Sequence, residues 1–309
     1  MKFNSVKERI LVAFFVYSTI SFAVSTTSFF LFRDLESVDN ATSEVNRLYN
    51  QILDGLRIGQ QFFAYEMNDE NFYLTGSSAS IANHEEIIAN ALETIAQIKN
   101  EKGAEILEMT NDLERLELQL TDYKKKYEKS WLLVKEKGFK DQGLVGEMRR
   151  QIREVESTLI NERELILSLR RNEKDYLLRG DTAYVFQVVS LTTELRDKIF
   201  ASNNFSDFKK TRLTSLLNRY YKNLIKIVEI DQELGFQSSV SGIAPTLKAN
   251  IREISERIQA VNKRAIKKKF AINTRVQLIL VSIVTLSIIL TLFLSLSFKF
   301  VLGDDVEAV

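Results

Sequence analysis

Cysteine is absent from this 309-residue chain, which excludes disulfides, thiolate metal sites and cysteine nucleophiles. Histidine occurs once, at His84, so neither a histidine metal cluster nor a Ser-His-Asp triad can be assembled. With no partner histidine, His84 reads as a solvated helix residue. One proline and 11 glycines leave few turn and strand-end signals. An excess of charge is missing too: 42 basic residues face 41 acidic ones, so nothing in the total calls for nucleic acid. Neither a nucleophile with a base nor a phosphate loop is found, and the chain reads as a non-enzyme without metal or cofactor.

What is present is 45% hydrophobic and 27% charged residues, with Leu, Ile, Glu, Lys and Arg prominent. That composition supports a buried core, long solvated faces and long helices. Two stretches, Ile10 to Phe32 and Val276 to Phe298, contain no charged residue. Each is about 23 residues, or ~34 Å of helix, enough to cross a bilayer. Arg33-Asp34-Leu35 is a poor cleavage site, so the first reads as an uncleaved anchor rather than a signal peptide. The organisation expected is therefore a cytoplasmic tail (1–9), a first transmembrane helix (10–32), an outer domain (33–275), a second transmembrane helix (276–298) and a short following stretch (299–309).

Lys2, Lys7 and Arg9 before the first span, against Arg33 beyond it, place 33–275 outside. The second span disagrees, because Lys263, Arg264, Lys267, Lys268, Lys269 and Arg275 crowd its outer side against Lys299 within. The first helix usually sets orientation and long domains translocate largely regardless of charge, so the outer placement is retained. The basic cluster reads either as a solvated helix end or as a contact for anionic lipid headgroups.

Met148, Ile152, Val155, Leu159, Glu162, Ile166, Leu169, Glu173 and Tyr176 follow a 4-3-4-3 spacing, the seam of a bundle helix. Ile251, Ile254, Ile258, Val261 and Ala265 do the same in the last helix. Turn residues mark breaks that predict seven segments: 33–75, 79–100, 104–137, 143–179, 182–202, 206–234 and 243–274. A chain that leaves and re-enters the same membrane face needs an even number of passes. The odd break is assigned to Lys102-Gly103, as a kink inside one helix. An internal repeat is also visible: Asn68 to Gly76 aligns with Asn172 to Gly180, and Gly138-Phe139 recurs as Gly235-Phe236. Two units of about 100 residues follow, sharing the helix 143–179.

Arg170-Arg171-Asn172-Glu173-Lys174-Asp175-Tyr176-Leu177-Leu178-Arg179-Gly180-Asp181, preceded by Lys137-Gly138-Phe139-Lys140-Asp141-Gln142-Gly143, resembles the helical bimodular sensor domain of bacterial methyl-accepting chemotaxis receptors. Leu302-Gly303-Asp304-Asp305-Val306-Glu307-Ala308-Val309 resembles the opening of the HAMP linker in such receptors, where a Leu-Gly-Gly-Asp-Pro stretch follows the second span, with Asp304 in place of the second Gly and Val306 in place of Pro. The resemblance implies an all-α fold of two stacked four-helix bundles with long shared helices, flanked by two transmembrane helices. It further implies a periplasmic domain anchored in the bacterial inner membrane, a homodimer, and binding of a small organic acid in one or both modules. The receptor's signalling domain would follow Val309. A histidine kinase or a cyclic-dinucleotide enzyme carries similar input domains, and a signalling-inactive scaffold fits the same residues.

Two readings of the charged residues stay open. In one, Glu173 on the apolar seam, its repeat partner Asp69, and Lys174 belong to a structural ion-pair network that sets helix register. In the other, some arginines are free to grip a carboxylate with paired hydrogen bonds: Arg57 with Gln60 and Gln61 on the first helix, facing Arg170, Arg171 and Arg179. The first repeat has Met67, Glu70 and Thr75 where the second has Arg171, Lys174 and Arg179, which argues against an acid site built on it. Tyr65, Tyr73 and Trp131 read as core packing or as a pocket lining. Gly55 and Gly59 suit a dimer seam or a crowded core equally.

Overall fold

The computed structural model describes residues 6–236 and 240–306; Lys2 and the Glu307-Ala308-Val309 end of the HAMP-like stretch lie outside the described residues. The chain is about 90% helical, with no strand among the described residues. The described residues form ten α-helices in order: α1 (Val6–Gln61), α2 (Glu70–Thr75), α3 (Ala79–Lys99), α4 (Lys102–Ile106), α5 (Thr110–Lys137), α6 (Gly143–Thr158), α7 (Arg163–Arg179), α8 (Thr182–Ala201), α9 (Asp207–Leu234) and α10 (Ile243–Val306). A π-helical stretch, Phe62–Glu66, extends α1, and a 3-10 turn, Ile160–Glu162, separates α6 from α7. Contacts divide the chain into two units, to both of which α1, α3, α5 and α10 contribute.

The first unit comprises the chain up to Asn50, Glu93–Arg115 and the chain from Arg257. Val38, Ala41, Val45 and Leu48 repeat at 3-4-3 spacing along α1 and are fully buried. They share the interior with Ile95, Ile98, Leu107, Met109, Leu113, Ile258, Val261 and Ala265, as the α10 periodicity predicts. Two helices here are long and apolar enough to cross a membrane. Their large apolar side chains face outward, Phe22 at 74% and Leu286 at 67% exposed, a surface suited to lipid rather than water. Three cations of the basic cluster beside the second span are paired. Arg264 bridges to Asp112, Lys268 to Glu108 and Lys269 to Asp39 (3.1 Å), and Lys102 meets Asp34 (2.5 Å).

The second unit comprises Gln51–Leu92 and Leu116–Glu256, and the expected path needs two corrections, one in each unit. The helix predicted over 143–179 is two antiparallel helices. Arg170 donates to Glu156 (2.7 Å), fourteen positions away, which an unbroken helix would hold ~21 Å apart. The reversal at 159–162 contains neither glycine nor proline. The apolar seam residues are nonetheless buried on both arms, because α6 and α7 turn their stripes into one core with α8 and α9. The second correction is at Lys102-Gly103. His84 on α3 touches Tyr123 on α5 (3.1 Å), 39 residues on, so the chain reverses between them rather than kinking. The described residues thus reverse at 67–78, 100–109, 159–162, 180–181 and 202–206, which leaves an even six passes.

The two remaining connections do not reverse the chain. Arg212 and Asn223 of α9 reach Glu154 and Gln151 of α6, an antiparallel register, and Lys137 and Lys129 of α5 reach Asp231 and Glu233 of α9, again antiparallel. Consequently α5 and α6 run in the same direction, and 138–142 is a sideways step. Gln119 and Asp122 of α5 pair with Glu253 and Asn250 of α10, so α9 and α10 are likewise parallel and 235–242 is a second step. These steps are the repeated Gly-Phe motifs. In both, two glycine backbones pack face to face: a Cβ on Gly138 would lie 2.1 Å from the Gln142 carbonyl oxygen, and one on Gly235 would lie 2.1 Å from that of Ser241. Both glycines also have positive φ, 83° and 66°. The duplication is therefore helix-exchanged. Helix α6, last of the first copy, completes the core of α7–α9, while α10, last of the second, packs on α5 of the first.

Gly55 and Gly59 belong to a crowded core: Cβ atoms there would meet Ile88 at 2.8 Å and His84 at 2.7 Å. His84 is fully buried rather than solvated. Its ring lies 3.7 Å from that of Tyr127, and burial, aided by Lys124, lowers its pKa to about 4.

Two outcomes are expected of the full-length chain in detergent. Replacing Gly138 or Gly235 by alanine lowers stability by roughly 2 kcal/mol or more in thermal melts, because positive φ and a backbone clash act together. His84 binds its proton less readily when folded than when unfolded, so stability falls as pH drops from about 6.5 toward 4, by on the order of 3 kcal/mol. The difference in melting between wild type and H84Q should shrink over that interval; a constant difference contradicts the assignment.

Candidate functional site

The exchanged helices leave a cleft of about 330 Å³ in the second unit, where both glycine steps and both copies of the repeated motif meet. Its apolar walls are Val134, Val145 and Leu234, with Leu177 and Leu178 from α7. Aromatic rings supply much of the rest. Tyr73 stacks on Phe139 with ring centroids 6.1 Å apart and planes inclined by 29°, and Phe236 lines the same space. Tyr73 is pinned by donating its hydroxyl to the Met67 carbonyl (2.7 Å), and burial pushes its pKa up to about 12.

Four cations line this cleft: Lys137, Lys140, Arg149 and Lys174. Two are neutralised. Lys137 donates to Asp231 (2.5 Å), which also accepts from Tyr176 (3.1 Å), and Lys140 pairs with Glu70 (2.8 Å). Arg149 donates to the Lys140 carbonyl (3.1 Å), which holds the loop but cancels no charge. Lys174 is exposed and has no carboxylate partner among the described residues. An apolar pocket edged by cations that form no ion pair among the described residues is suited to an anion with an apolar body.

The residues chosen from sequence lie in separate surroundings. Arg57 is exposed and pairs with Asp54 on its own helix (3.1 Å), and Gln61 is exposed beside it. Gln60 borders a different, apolar cleft of about 280 Å³ between α1, α5 and α10, over Tyr123 and Tyr127. Arg170 is occupied by Glu156. Arg179 donates to the Tyr184 hydroxyl (3.2 Å) and lies over its ring, and Arg171 is exposed. Tyr65 points to solvent at 76% exposure, Tyr73 lines the cation-edged cleft, and Trp131 packs against the core of Phe62, Phe72 and Val134.

The three residues assigned to a structural ion-pair network also separate. Glu173 is buried and accepts from Tyr220 (3.0 Å); desolvation raises its pKa, opposed by that hydrogen bond and by Arg149 and Arg170. Asp69 is instead the exposed N-cap of α2, accepting from the Asn71 amide (3.0 Å). Lys174, next to Glu173 in sequence, turns to the cleft, since successive helical residues point about 100° apart. Lys137, Lys140 and Arg149 were not singled out individually from sequence. Their signal is the recurrence of Gly-Phe flanked by basic residues only in the first copy: Lys137 and Lys140 surround Gly138-Phe139, against Leu234 before Gly235-Phe236.

Glu173 offers a direct check on these electrostatics. E173A leaves the buried Tyr220 hydroxyl unpaired and should cost about 1–3 kcal/mol. E173Q keeps an acceptor without a charge to desolvate, so at neutral pH it should melt at or above wild type. A raised folded pKa means that wild type gains stability as pH falls through it, closing the gap. An E173Q protein as unstable as E173A would contradict the account. In comparison with known proteins, no family model matches the chain and no curated protein matches it, so the use of the cleft follows from its own chemistry.

Proposed function

We propose that this chain is the sensory part of a transmembrane receptor of the chemoreceptor type, which binds a small carboxylate in its outer helical domain and transmits that event through two membrane helices. The observation that carries this reading is the cleft edged by Arg149 and Lys174, neither of which forms an ion pair among the described residues, above an apolar and aromatic interior. In this reading the domain is periplasmic, the anchor lies in the inner membrane, and the helices form two stacked four-helix bundles in a homodimer. The helical bimodular resemblance and the glycine steps between the repeats support that arrangement. Arg264, Lys268 and Lys269 pair with acids from other elements in the folded chain, and the outer placement rests on the charges flanking the first span.

The mechanism follows from where the cleft lies. Its walls include the end of α5 and the step that leads into α10. An anion drawn between Arg149 and Lys174 tightens α6 and α7 around that step, and α10 continues from it into the second span. A shift of an ångström or two along such a helix is the scale on which receptors of this kind switch. A HAMP linker after the second span would relay it.

Two measurements test the proposal. With the full chain in detergent, a panel of acetate, di- and tricarboxylates, amino acids and aromatic acids should contain at least one anion that raises the melting temperature by a few degrees at saturation. R149A and K174A should remove the shift and R57A should retain it. Reporter fusions after Lys140 and Val309 should lie on opposite sides of the membrane. Cytoplasmic placement of both, or no anion giving a shift, would sink the reading.

A further inference from the structure

From the charge and shape of the cleft we infer that its ligand is a planar aromatic monocarboxylate of one or two rings, a narrower claim that rests on the anion-binding reading above. Charge sets the valency. Asp231 and Glu70 already neutralise Lys137 and Lys140, leaving Arg149 and Lys174 for the ligand. One guanidinium and one ammonium satisfy a single carboxylate through charge-assisted hydrogen bonds. A second carboxylate would meet either the acidic partners of the two lysines or the apolar wall of Val134, Val145 and Leu234, and would be desolvated there without compensation.

Shape sets the body. Tyr73 and Phe139 are already nearly parallel and Phe236 borders the same space, a surface on which a flat ring gains offset stacking beyond its area burial. The Tyr73 hydroxyl commits its proton to the Met67 carbonyl, so it can accept from a ligand hydroxyl but has no hydrogen left to donate. The remaining walls are largely apolar, which favours a ring over a polyhydroxylated body. A volume of about 330 Å³ stands at the small end of ligand pockets, large enough for a benzoate or an indole carboxylate.

The experiment uses the full chain in detergent and reads the emission of Trp131, the single tryptophan of the protein, alongside calorimetry. Benzoate and indole-3-carboxylate are titrated against benzamide, cyclohexanecarboxylate, succinate and citrate. Benzoate should saturate and bind roughly tenfold more tightly than benzamide, succinate or citrate, and several-fold more tightly than the saturated acid. K174Q, at an exposed position, should weaken benzoate by roughly tenfold with an unchanged melt. F139L should weaken benzoate but not cyclohexanecarboxylate. If succinate or citrate binds as well as benzoate and loses affinity in K174Q, the anion site stands and the aromatic monocarboxylate is overturned. If no carboxylate binds, or K174Q changes nothing, both readings fail together. If benzamide matches benzoate, the charge argument is wrong.

Discussion

Two places where glycine backbones touch govern this fold. At Gly138–Gly143 and again at Gly235–Gly242 the chain steps sideways without reversing, and only backbones lacking Cβ atoms can pass that closely. Everything else in the second unit depends on these steps. They make the duplication helix-exchanged, so that α6 closes the core of the second copy and α10 packs with the first. Each repeat then lacks one wall of its own core, which couples the two copies thermodynamically.

The steps also explain why a cleft exists where it does. Close packing relies on side chains interdigitating from straight neighbouring helices. Where α5 yields to α6 and α9 to α10, helix ends replace helix flanks, and the space is filled by loop aromatics and long basic side chains instead. Ion pairs then hold the rim. Asp231 ties α5 to α7 through Lys137 and Tyr176, and Glu70 ties α2 to the first step through Lys140. Those partly exposed pairs contribute little stability individually. Their effect is to select which cations remain unneutralised, and that selection distinguishes this cleft from the apolar one bordered by Gln60.

Periodicity made much of the helical architecture legible. The buried stripe of α10, the left-handed glycines at Gly76 and Gly180, and the correspondence of Gly138-Phe139 with Gly235-Phe236 all follow from spacing and residue type. The turn at 159–162 did not announce itself, because a heptad seam continues in register across it: Leu159 remains buried while Asn161 is the only residue with a turn preference. Lys102-Gly103 misled in the opposite direction. Its glycine approaches the Ser37 carbonyl within 2.1 Å of a would-be Cβ, so a weak break in sequence marks a full reversal in space. For the site, residue type was informative and partnership was not. Arg170 and Lys174 look equally basic on one helix, yet Glu156 from α6 takes the first and, among the described residues, no carboxylate pairs with the second.

The same distinction bears on the membrane. A count of lysines and arginines beside the second span opposes an outer domain, and the count treats every cation as equivalent. In the folded chain Arg264, Lys268 and Lys269 have acids from α5, its preceding turn and α1 beside them. Those acids are remote in sequence, so no local window around the span can register them. The pairs form only after α1 and α5 are in place, whereas orientation is set as each span emerges. Folding can therefore offset the local charge excess without deciding topology, and the first span, synthesised before any of these partners, remains the segment whose flanking charges act alone.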